Sequence, residues 1–357
     1  MLDLLKNDLT ESLLLRSIQR RRAPYCVRGV TDRGPIWEIL RGDEFQTRRH
    51  LRVTPHALRL LVLRTERKRH GWSRELEVIM FLFWLACGTS YRVISTTFGI
   101  PLTSVSSAVR KMLQVMVDML RDSIRLPHGD ELNAIGRGFA ARGGSRVFSK
   151  CVGAIDGSHV RVFCPSGQNE QYINRKLFYS LQFQLLVDSS GKILDFFTGF
   201  PGSVHDARVL RHSSLYVNAM YPPQGYFIIG DGGYPCRVTP ICLMTPFRAA
   251  ANPLELLFNT HLSKARIVVE QAIGMMKTRW RSIFTKVIEL KVEKAVKVIA
   301  ACAALHNICV LAGDIFQVEL RENGIVHPPQ HQNDVEAAGD DFRLQLAMQL
   351  QNELNVA

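Results

Sequence analysis

Residues 151–163 read Cys-Val-Gly-Ala-Ile-Asp-Gly-Ser-His-Val-Arg-Val-Phe, an apolar run typical of a strand, with Asp156 inside it. A second apolar run, Tyr-Phe-Ile-Ile-Gly, leads directly to Asp231 and is followed by two glycines. A third stretch, Arg-Ile-Val-Val-Glu-Gln, has a helical pattern and carries Glu270. Taken singly, each acid is best explained as an ordinary turn or helix-surface residue. Their order along the chain calls for a joint explanation.

The sequence around these acids predicts a definite order of strands and helices. After the first strand, the predicted elements are strands 177–188 and 192–200, a helix at 205–212, a strand at 225–230, and helices at 263–284 and 293–312. Three antiparallel strands, a helix, a further strand and then helices are the order of a ribonuclease H-like α/β domain, a mixed sheet flanked by helices. This order puts Asp156 and Asp231 on adjacent central strands, with Glu270 on a helix that crosses their ends.

Three carboxylates in the order Asp, Asp, Glu are what a nuclease or transposase of the ribonuclease H kind needs. Such an enzyme holds two metal ions about 3.5–4 Å apart, which clamp the attacking and leaving oxygens of a phosphodiester. Magnesium prefers carboxylate oxygen and water as ligands. We therefore expect two Mg²⁺ ions per active site, with Mn²⁺ as a substitute.

Charge is unevenly distributed along this basic chain of 357 residues, whose net charge is +13. Residues 1–127 hold 22 Lys and Arg against 12 Asp and Glu, whereas residues 313–357 hold 2 against 8. A basic front and an acidic tail favour a nucleic-acid partner. The eight cysteines form no Cys-x-x-Cys pair, which indicates reduced thiols. We recognise no signal peptide. We also expect no apolar stretch to reach the length of a membrane span.

The first 127 residues are predicted to be helical, and the region before the catalytic domain is predicted to be all-α. Residues 1–72 read as a basic helical region, in which Arg20–Arg22 is either a nuclear localisation signal, a phosphate contact or a solvated helix end. Residues 73–127 predict a helix-turn-helix, and residues 128–149, rich in glycine, predict a linker. The second helix of the motif would offer DNA Thr103, Ser104, Ser107, Arg110 and Lys111. The alternative is a three-helix module that packs on protein. Residues 150–312 form the predicted catalytic domain, and residues 313–357 an acidic, flexible tail.

Several motifs in one order resemble the PIF/Harbinger superfamily of DDE transposases and the host nucleases derived from them. They are Ala-Ile-Asp-Gly-Ser-His (154–159), Asn-Arg-Lys (174–176), Pro-Gly-Ser-Val-His-Asp (201–206), Gly-Asp-Gly-Gly-Tyr-Pro (230–235), Arg-Ile-Val-Val-Glu (266–270) and Ala-Leu-His-Asn (304–307). The resemblance implies that Asp156, Asp231 and Glu270 are the catalytic, metal-binding triad. Asp156 would bridge both ions, and the other two acids would hold one ion each. One departure is Leu177, where the family usually has glycine.

Other residues near these motifs have two interpretations each. Asp206 is expected to cap a helix or to support the metal ligands from behind, in preference to acting as a fourth ligand. His205 is a candidate phosphate contact or hydrogen-bond donor to the ligands, but a structural role is favoured for it. A contact with the DNA backbone or a solvated turn is expected for Asn174, Arg175 and Lys176. Further candidate phosphate contacts on the long helix are Lys277, Arg279 and Arg281. The pair His306 and Asn307, on an apolar helix, is expected to be buried and satisfied.

The resemblance implies a nuclear enzyme that cuts double-stranded DNA at terminal inverted repeats and joins the ends to a short, AT-centred target. It also implies a homodimer or larger assembly on DNA. A separate Myb-like DNA-binding protein would assist end recognition and nuclear entry, so that the enzyme stays cytoplasmic until then. The rival interpretation is a domesticated DNA-binding or scaffold protein that does not cleave. A ribonuclease on the same fold is disfavoured by the helix-turn-helix prediction.

Overall fold

A computed structural model of the chain describes residues 38–39, 41–65, 72–316 and 336–356. The prediction made for Arg20–Arg22 lies outside these ranges. The described helices are α1 (Glu44–Leu51), α2 (Pro55–Leu63), α3 (Arg74–Cys87), α4 (Tyr91–Phe98), α5 (Leu102–Ser123), α6 (Asp130–Gly143), α7 (Asn169–Tyr172), α8 (Asp206–His212), α9 (Ser214–Asn218), α10 (Pro253–Arg279), α11 (Arg281–Phe284), α12 (Val292–Leu311) and α13 (Ala337–Val356). The strands are β1 (Cys151–Arg161), β2 (Ser180–Val187), β3 (Ile193–Pro201), β4 (Phe227–Ile229) and β5 (Leu243–Met244), with a short 3₁₀ helix at Arg146–Lys150 before β1.

The five strands form one mixed sheet in the order β3-β2-β1-β4-β5. Strand β1 pairs antiparallel with β2 and parallel with β4, and β4 pairs parallel with β5. Every residue of β2 is buried, as expected of a central strand covered on both faces. Helices α6 and α10 contact β1, and α12 contacts β3. This is the predicted mixed α/β sheet flanked by helices, and it is consistent with a ribonuclease H-like domain.

The three helices predicted at residues 73–127 are present as α3, α4 and α5. Gly88 and Gly99 end the first two of them in the left-handed conformation, with φ of 60° and 62°. Helix α5 packs against α3 and α4 and also against α12 of the sheet domain. The packing accounts for the apolar side of α5, while DNA contact by its polar side stays a prediction.

Residues 128–149 are not a linker, because most of them form helix α6 and the 3₁₀ helix. Two glycines that favoured the linker interpretation are sites of close packing instead. A Cβ atom at Gly136 would overlap the carbonyl of Ser149, and one at Gly138 would overlap the Ser189 side chain. These glycines therefore let α6 lie directly against its neighbours.

The acidic tail is also more ordered than predicted, since residues 337–356 form α13. This helix buries Leu346, Ala347 and Leu350 and contacts α10 and β5. Arg343 donates to the carbonyl oxygens of Thr245 and Pro246 at 3.2 and 2.9 Å. The prediction of a flexible tail is therefore wrong for this part of the segment.

Helix α12 is, within the part of the chain that the structure describes, long and apolar enough to span a membrane by length and composition. The expectation that no stretch reaches this length was therefore wrong. Most of the helix is buried in the protein, as in a core helix. His306 Nε2 lies 2.9 Å from the Gly191 carbonyl, and Asn307 bonds the backbone of Ile193 and Ser123. The predicted buried, satisfied pair is present, and it ties α12 to the edge strand β3.

Candidate active site

The sheet register brings the first two acids together. Ala154 of β1 lies opposite Ile229 of β4, so Asp156 and Asp231 each follow that pair by two residues. Each carboxylate accepts a hydrogen bond from a glycine N–H close by: Asp156 from Gly157 at 2.8 Å and Asp231 from Gly233 at 2.9 Å. The glycines after both aspartates thus help to fix the carboxylates.

Asp206 joins these two acids and is not a helix cap. The cap of α8 is His205, whose side chain makes no capping bond, and Asp206 is the first helical residue. Its carboxylate accepts a hydrogen bond from Gln182 Nε2. A Cβ atom at Gly157 would collide with Asp206 Oδ1, and one at Gly233 would lie 3.3 Å from Oδ2. Asp206 therefore lies between the backbones that carry the other two aspartates.

Burial, together with the charge of Asp231, perturbs the titration of two of these carboxylates. Burial, then the charge of Asp231, raises the pKa of Asp156 well above its ordinary value, although Arg266 opposes the change. Burial, followed again by Asp231, raises the pKa of Asp206 to about 7. Carboxylates that lie close together away from water favour the protonated form unless a cation neutralises their charge.

Glu270 lies on α10 and is held by an arginine one turn earlier. Arg266 forms an ion pair with Glu270 through one nitrogen, while its other terminal nitrogen lies 3.6 Å from Asp156 Oδ2. One guanidinium thus links the helical acid to the central strand acid. Among the described residues, no group of three or more His, Cys, Asp or Glu side chains is gathered closely enough to hold a metal ion.

The chemistry of the donors nevertheless fits a hard divalent cation. The acids Asp156, Asp206 and Asp231 supply only oxygen, the ligand that Mg²⁺ prefers. Both groups with a raised pKa gain from a neighbouring positive charge. By the type of donor atom the residues present suit a hard divalent cation, although the described side chains are not gathered around one point.

Lys277 points into this site and does not lie on an outer DNA-binding surface. Its Nζ donates to Ser158 Oγ at 2.6 Å and to the His159 carbonyl at 3.3 Å. Burial lowers the pKa of Lys277 to about 8, with Asp156 acting in the opposite direction. Burial and three nearby cations lower the pKa of His159 to about 4, so this imidazole is neutral at pH 7. Lys277 is thus a cation placed beside the acids.

Two predicted DNA contacts are wrong. Arg279 is buried, pairs with Asp314 at 3.0 Å and also donates to the Arg52 carbonyl, so it joins the N-terminal helices to the sheet domain. Asn174 is buried as well and uses its side chain to close a turn, as its bonds to Lys176 N and Phe178 N show. The other predicted DNA contacts are exposed or partly exposed: Thr103, Ser104, Ser107, Arg110, Lys111, Arg175, Lys176 and Arg281.

Comparison with known families agrees with this geometry. Residues 155–307 match the family model described as DDE superfamily endonuclease. The matched segment begins next to Asp156 and includes Asp206, Asp231 and Glu270. The chain therefore contains a DDE endonuclease domain, which confirms the resemblance to the PIF/Harbinger superfamily. No solved structure matches the chain significantly.

Curated relatives extend the similarity beyond this domain. The human protein named "Putative nuclease HARBI1" is 26% identical over 295 residues, which cover 80% of this chain and 82% of the relative. From Arabidopsis thaliana, "Protein ALP1-like" is 28% identical over 243 residues, covering 63% of this chain and 58% of the relative. The second Arabidopsis thaliana protein, "Antagonist of like heterochromatin protein 1", is 25% identical over 269 residues, or 71% of this chain and 66% of that protein. This chain is thus homologous to Harbinger transposase-derived nucleases.

Proposed function

We propose that this protein is a divalent-metal-dependent DNA endonuclease in which Asp156, Asp231 and Glu270 bind the metal. The observation that carries the proposal is the convergence of Asp156, Asp206 and Asp231 at the centre of the sheet. Carboxylates buried together without an internal cation for each are costly to a fold. Their retention is readily explained if divalent cations neutralise them.

Each acid has a distinct place in the proposed reaction. When bound, two Mg²⁺ ions would activate a water or a DNA 3′-hydroxyl and stabilise the leaving 3′-oxygen. Asp156, on the central strand, would contribute to holding both ions, and Asp231 and Glu270 would help to hold one each. Asp206 adds a fourth oxygen ligand beside Asp231. Lys277, held by Ser158, supplies a positive charge where the scissile phosphate would enter.

We further propose that the substrate is double-stranded DNA at transposon terminal inverted repeats and that cleavage is followed by strand transfer into an AT-centred target. A Myb-like DNA-binding partner, action as a dimer or larger assembly and a nuclear location belong to the same proposal. The basic charge of the N-terminal region supports an anionic partner. The exposed Arg110 and Lys111 on α5 support a contact with phosphates.

The decisive experiment compares nicking of duplex DNA by the wild type and by Asp156→Asn, Asp231→Asn and Glu270→Gln. Substrates carry candidate terminal repeats, with Mg²⁺ or Mn²⁺ and with or without the Myb-like partner. The matched control is Asp195→Asn, which alters a half-buried carboxyl on β3 whose pKa is raised to about 6 by desolvation. We expect the three site variants to bind DNA without cutting it and the control to cut normally. Equal cleavage by all variants would refute the assigned site.

The second candidate function is DNA binding without cleavage, as in a domesticated transposase derivative. The ion pair of Arg266 with Glu270 favours it, because this pair removes one acid from the metal ligands. Binding of DNA by the wild type with no nicking under any of these conditions would support this function and exclude the first.

A further inference from the structure

A short turn near the site is closed by its own hydrogen bonds. Asn174 N donates to the Phe178 carbonyl at 3.0 Å, and Leu177 N donates to the Asn174 carbonyl at 2.9 Å. The Asn174 side chain then accepts from Lys176 N at 2.9 Å and donates to Ser180 Oγ at 3.0 Å. These bonds hold residues 174–178 as a defined turn at the start of β2.

Leu177 occupies an unfavourable position in this turn. Its φ is 58°, in the left-handed region that disfavours residues with a Cβ atom. Its side chain is also 81% exposed, more than any other large hydrophobic side chain that the structure describes except Val356. Glycine, the residue usual here in the family that the chain resembles, would avoid both costs. No contact within the part of the protein that the structure describes therefore explains the leucine.

The surroundings of Leu177 favour a nucleic acid as the partner. Arg175 and Lys176 precede it and are exposed. Phe178 follows the leucine in the chain, and the Arg161 guanidinium lies 4.2 Å from the centre of its ring. An apolar side chain among cations complements a polyanion with apolar bases better than it complements an uncharged apolar protein surface.

The turn is directly connected to the proposed active site. Arg175 Nη2 lies 2.7 Å from His205 Nδ1, and His205 precedes Asp206 in the chain. The charge of Arg175 is close enough to act on the Asp206 carboxylate. A DNA strand whose phosphate reaches the acids would therefore pass near Arg175, two residues before Leu177 in the same turn.

We propose that Leu177 is a wedge that inserts between stacked bases of the DNA and distorts the duplex next to the cleaved phosphate. This inference rests on the proposed function and adds a role for the turn. Apolar side chains, leucine among them, are inserted in this way by proteins that kink DNA. Arg175 and Lys176 hold the phosphates on either side of the opened step. Because hydrogen bonds already fix the turn, Leu177 can insert between the bases without a prior ordering of its backbone.

The test measures binding of fluorescent duplexes by anisotropy in EDTA, so that no DNA is cut. One duplex is perfectly paired, and the other carries a single mismatch, which lowers the cost of opening the stack. We expect the wild type to bind the mismatched duplex about tenfold more tightly. Leu177→Gly and Leu177→Asn, two residues that accept a positive φ, should bind both duplexes equally. A 2-aminopurine beside the mismatch should brighten with the wild type only.

Met220→Asn is the matched control, since Met220 is 77% exposed but lies elsewhere on the protein. The adjacent residue, Tyr221, donates to the Val152 carbonyl at the opposite end of β1 from Arg161. This variant should keep the wild-type preference. Leu177→Gly should also raise the melting temperature by about 2 °C, because it relieves the backbone. Loss of the mismatch preference in a more stable protein cannot be attributed to damage to the fold.

Each outcome has a separate meaning. Tight binding of both duplexes without a mismatch preference in the wild type would overturn the wedge and leave the proposed nuclease intact. A preference that survives in Leu177→Gly would also overturn it, as expected if the leucine contacts a protein partner instead. Absence of binding to any duplex would overturn both the wedge and the proposed function.

Discussion

Replacing Asp206 by asparagine should stabilise the protein in the absence of metal. The pKa of Asp206 rises from its ordinary value of 3.8 to about 7 through burial and the charge of Asp231. One pKa unit corresponds to about 1.36 kcal/mol, so the ionised carboxylate destabilises the metal-free fold by about 4 kcal/mol at pH 8. Asparagine carries no charge and keeps an oxygen that can accept the Gln182 hydrogen bond. We therefore expect a gain approaching this value.

The gain should depend on pH in a defined direction. The pKa of Asp206 is higher in the folded than in the unfolded state. The contribution of its protonated carboxyl to the stability of the fold is therefore fully present below pH 4 and is lost as the pH rises through 7. The difference between Asp206→Asn and the wild type should thus be near zero at pH 3, about 1.7 kcal/mol at pH 5 and about 4 kcal/mol at pH 8. Urea unfolding in EDTA, followed by tryptophan fluorescence, measures it.

Added Mg²⁺ should reverse the order, since the ion stabilises only the protein that keeps the full set of acids. Asp195→Asn serves as the control: burial alone accounts for most of the raised pKa of Asp195, and no acid of the site perturbs it. The control should be stabilised at pH 8 by a smaller amount and show no change in its response to Mg²⁺. A pH-independent difference for Asp206→Asn, or its destabilisation at pH 8, would refute the reasoning.

Three further changes test the packing of the fold and the charge of the site. Arg279→Met should destabilise the fold by about 3–5 kcal/mol in urea unfolding, because it removes the buried partner of Asp314 and leaves that carboxylate with Arg48 at 3.6 Å and the Thr54 N–H, whereas removal of both charges should cost less. Leu346→Ala should cost about 2–5 kcal/mol and speed proteolysis of α13, and unchanged stability would contradict the packing of this helix. Arg266→Gln should raise Mn²⁺ affinity by about tenfold in calorimetry, because the guanidinium no longer competes for Glu270 and Asp156. Equal affinity would show that the ion pair does not oppose metal binding.

Local patterns predicted the sheet and its long helices because apolar periodicity reports burial directly. The placement of Asp156 on a central strand and of Asp231 after its parallel neighbour follows from strand order alone. Strand β5, only two residues long, carries no periodic signal and was missed. The glycines of α6 were misinterpreted because a glycine needed for close packing looks the same in sequence as one needed for flexibility.

Asp206 and Arg279 show what the sequence could not reveal. An aspartate at the start of a helix is usually a cap, and only the tertiary position of α8 turns this one toward the other acids. A detectable signal existed in the glycines that follow Asp156 and Asp231, since residues without side chains make room for a third acid. Arg279 follows Lys277 by two residues on the same basic helix, yet the partner that buries it, Asp314, is distant from it in sequence.

Two cations on helix α10 offset part of the negative charge of the acids that the sheet brings together. Arg266 and Lys277 are eleven residues apart, about three turns, and therefore project from the same side of α10. The first meets Asp156 and Glu270, and the second lies beside Ser158 on the same strand. These two cations partly neutralise the acids before any metal binds, which allows the sheet to form with its carboxylates buried. In the proposed nuclease the same two charges would meet an incoming phosphate, so the groups that stabilise the metal-free fold would also serve the binding of DNA.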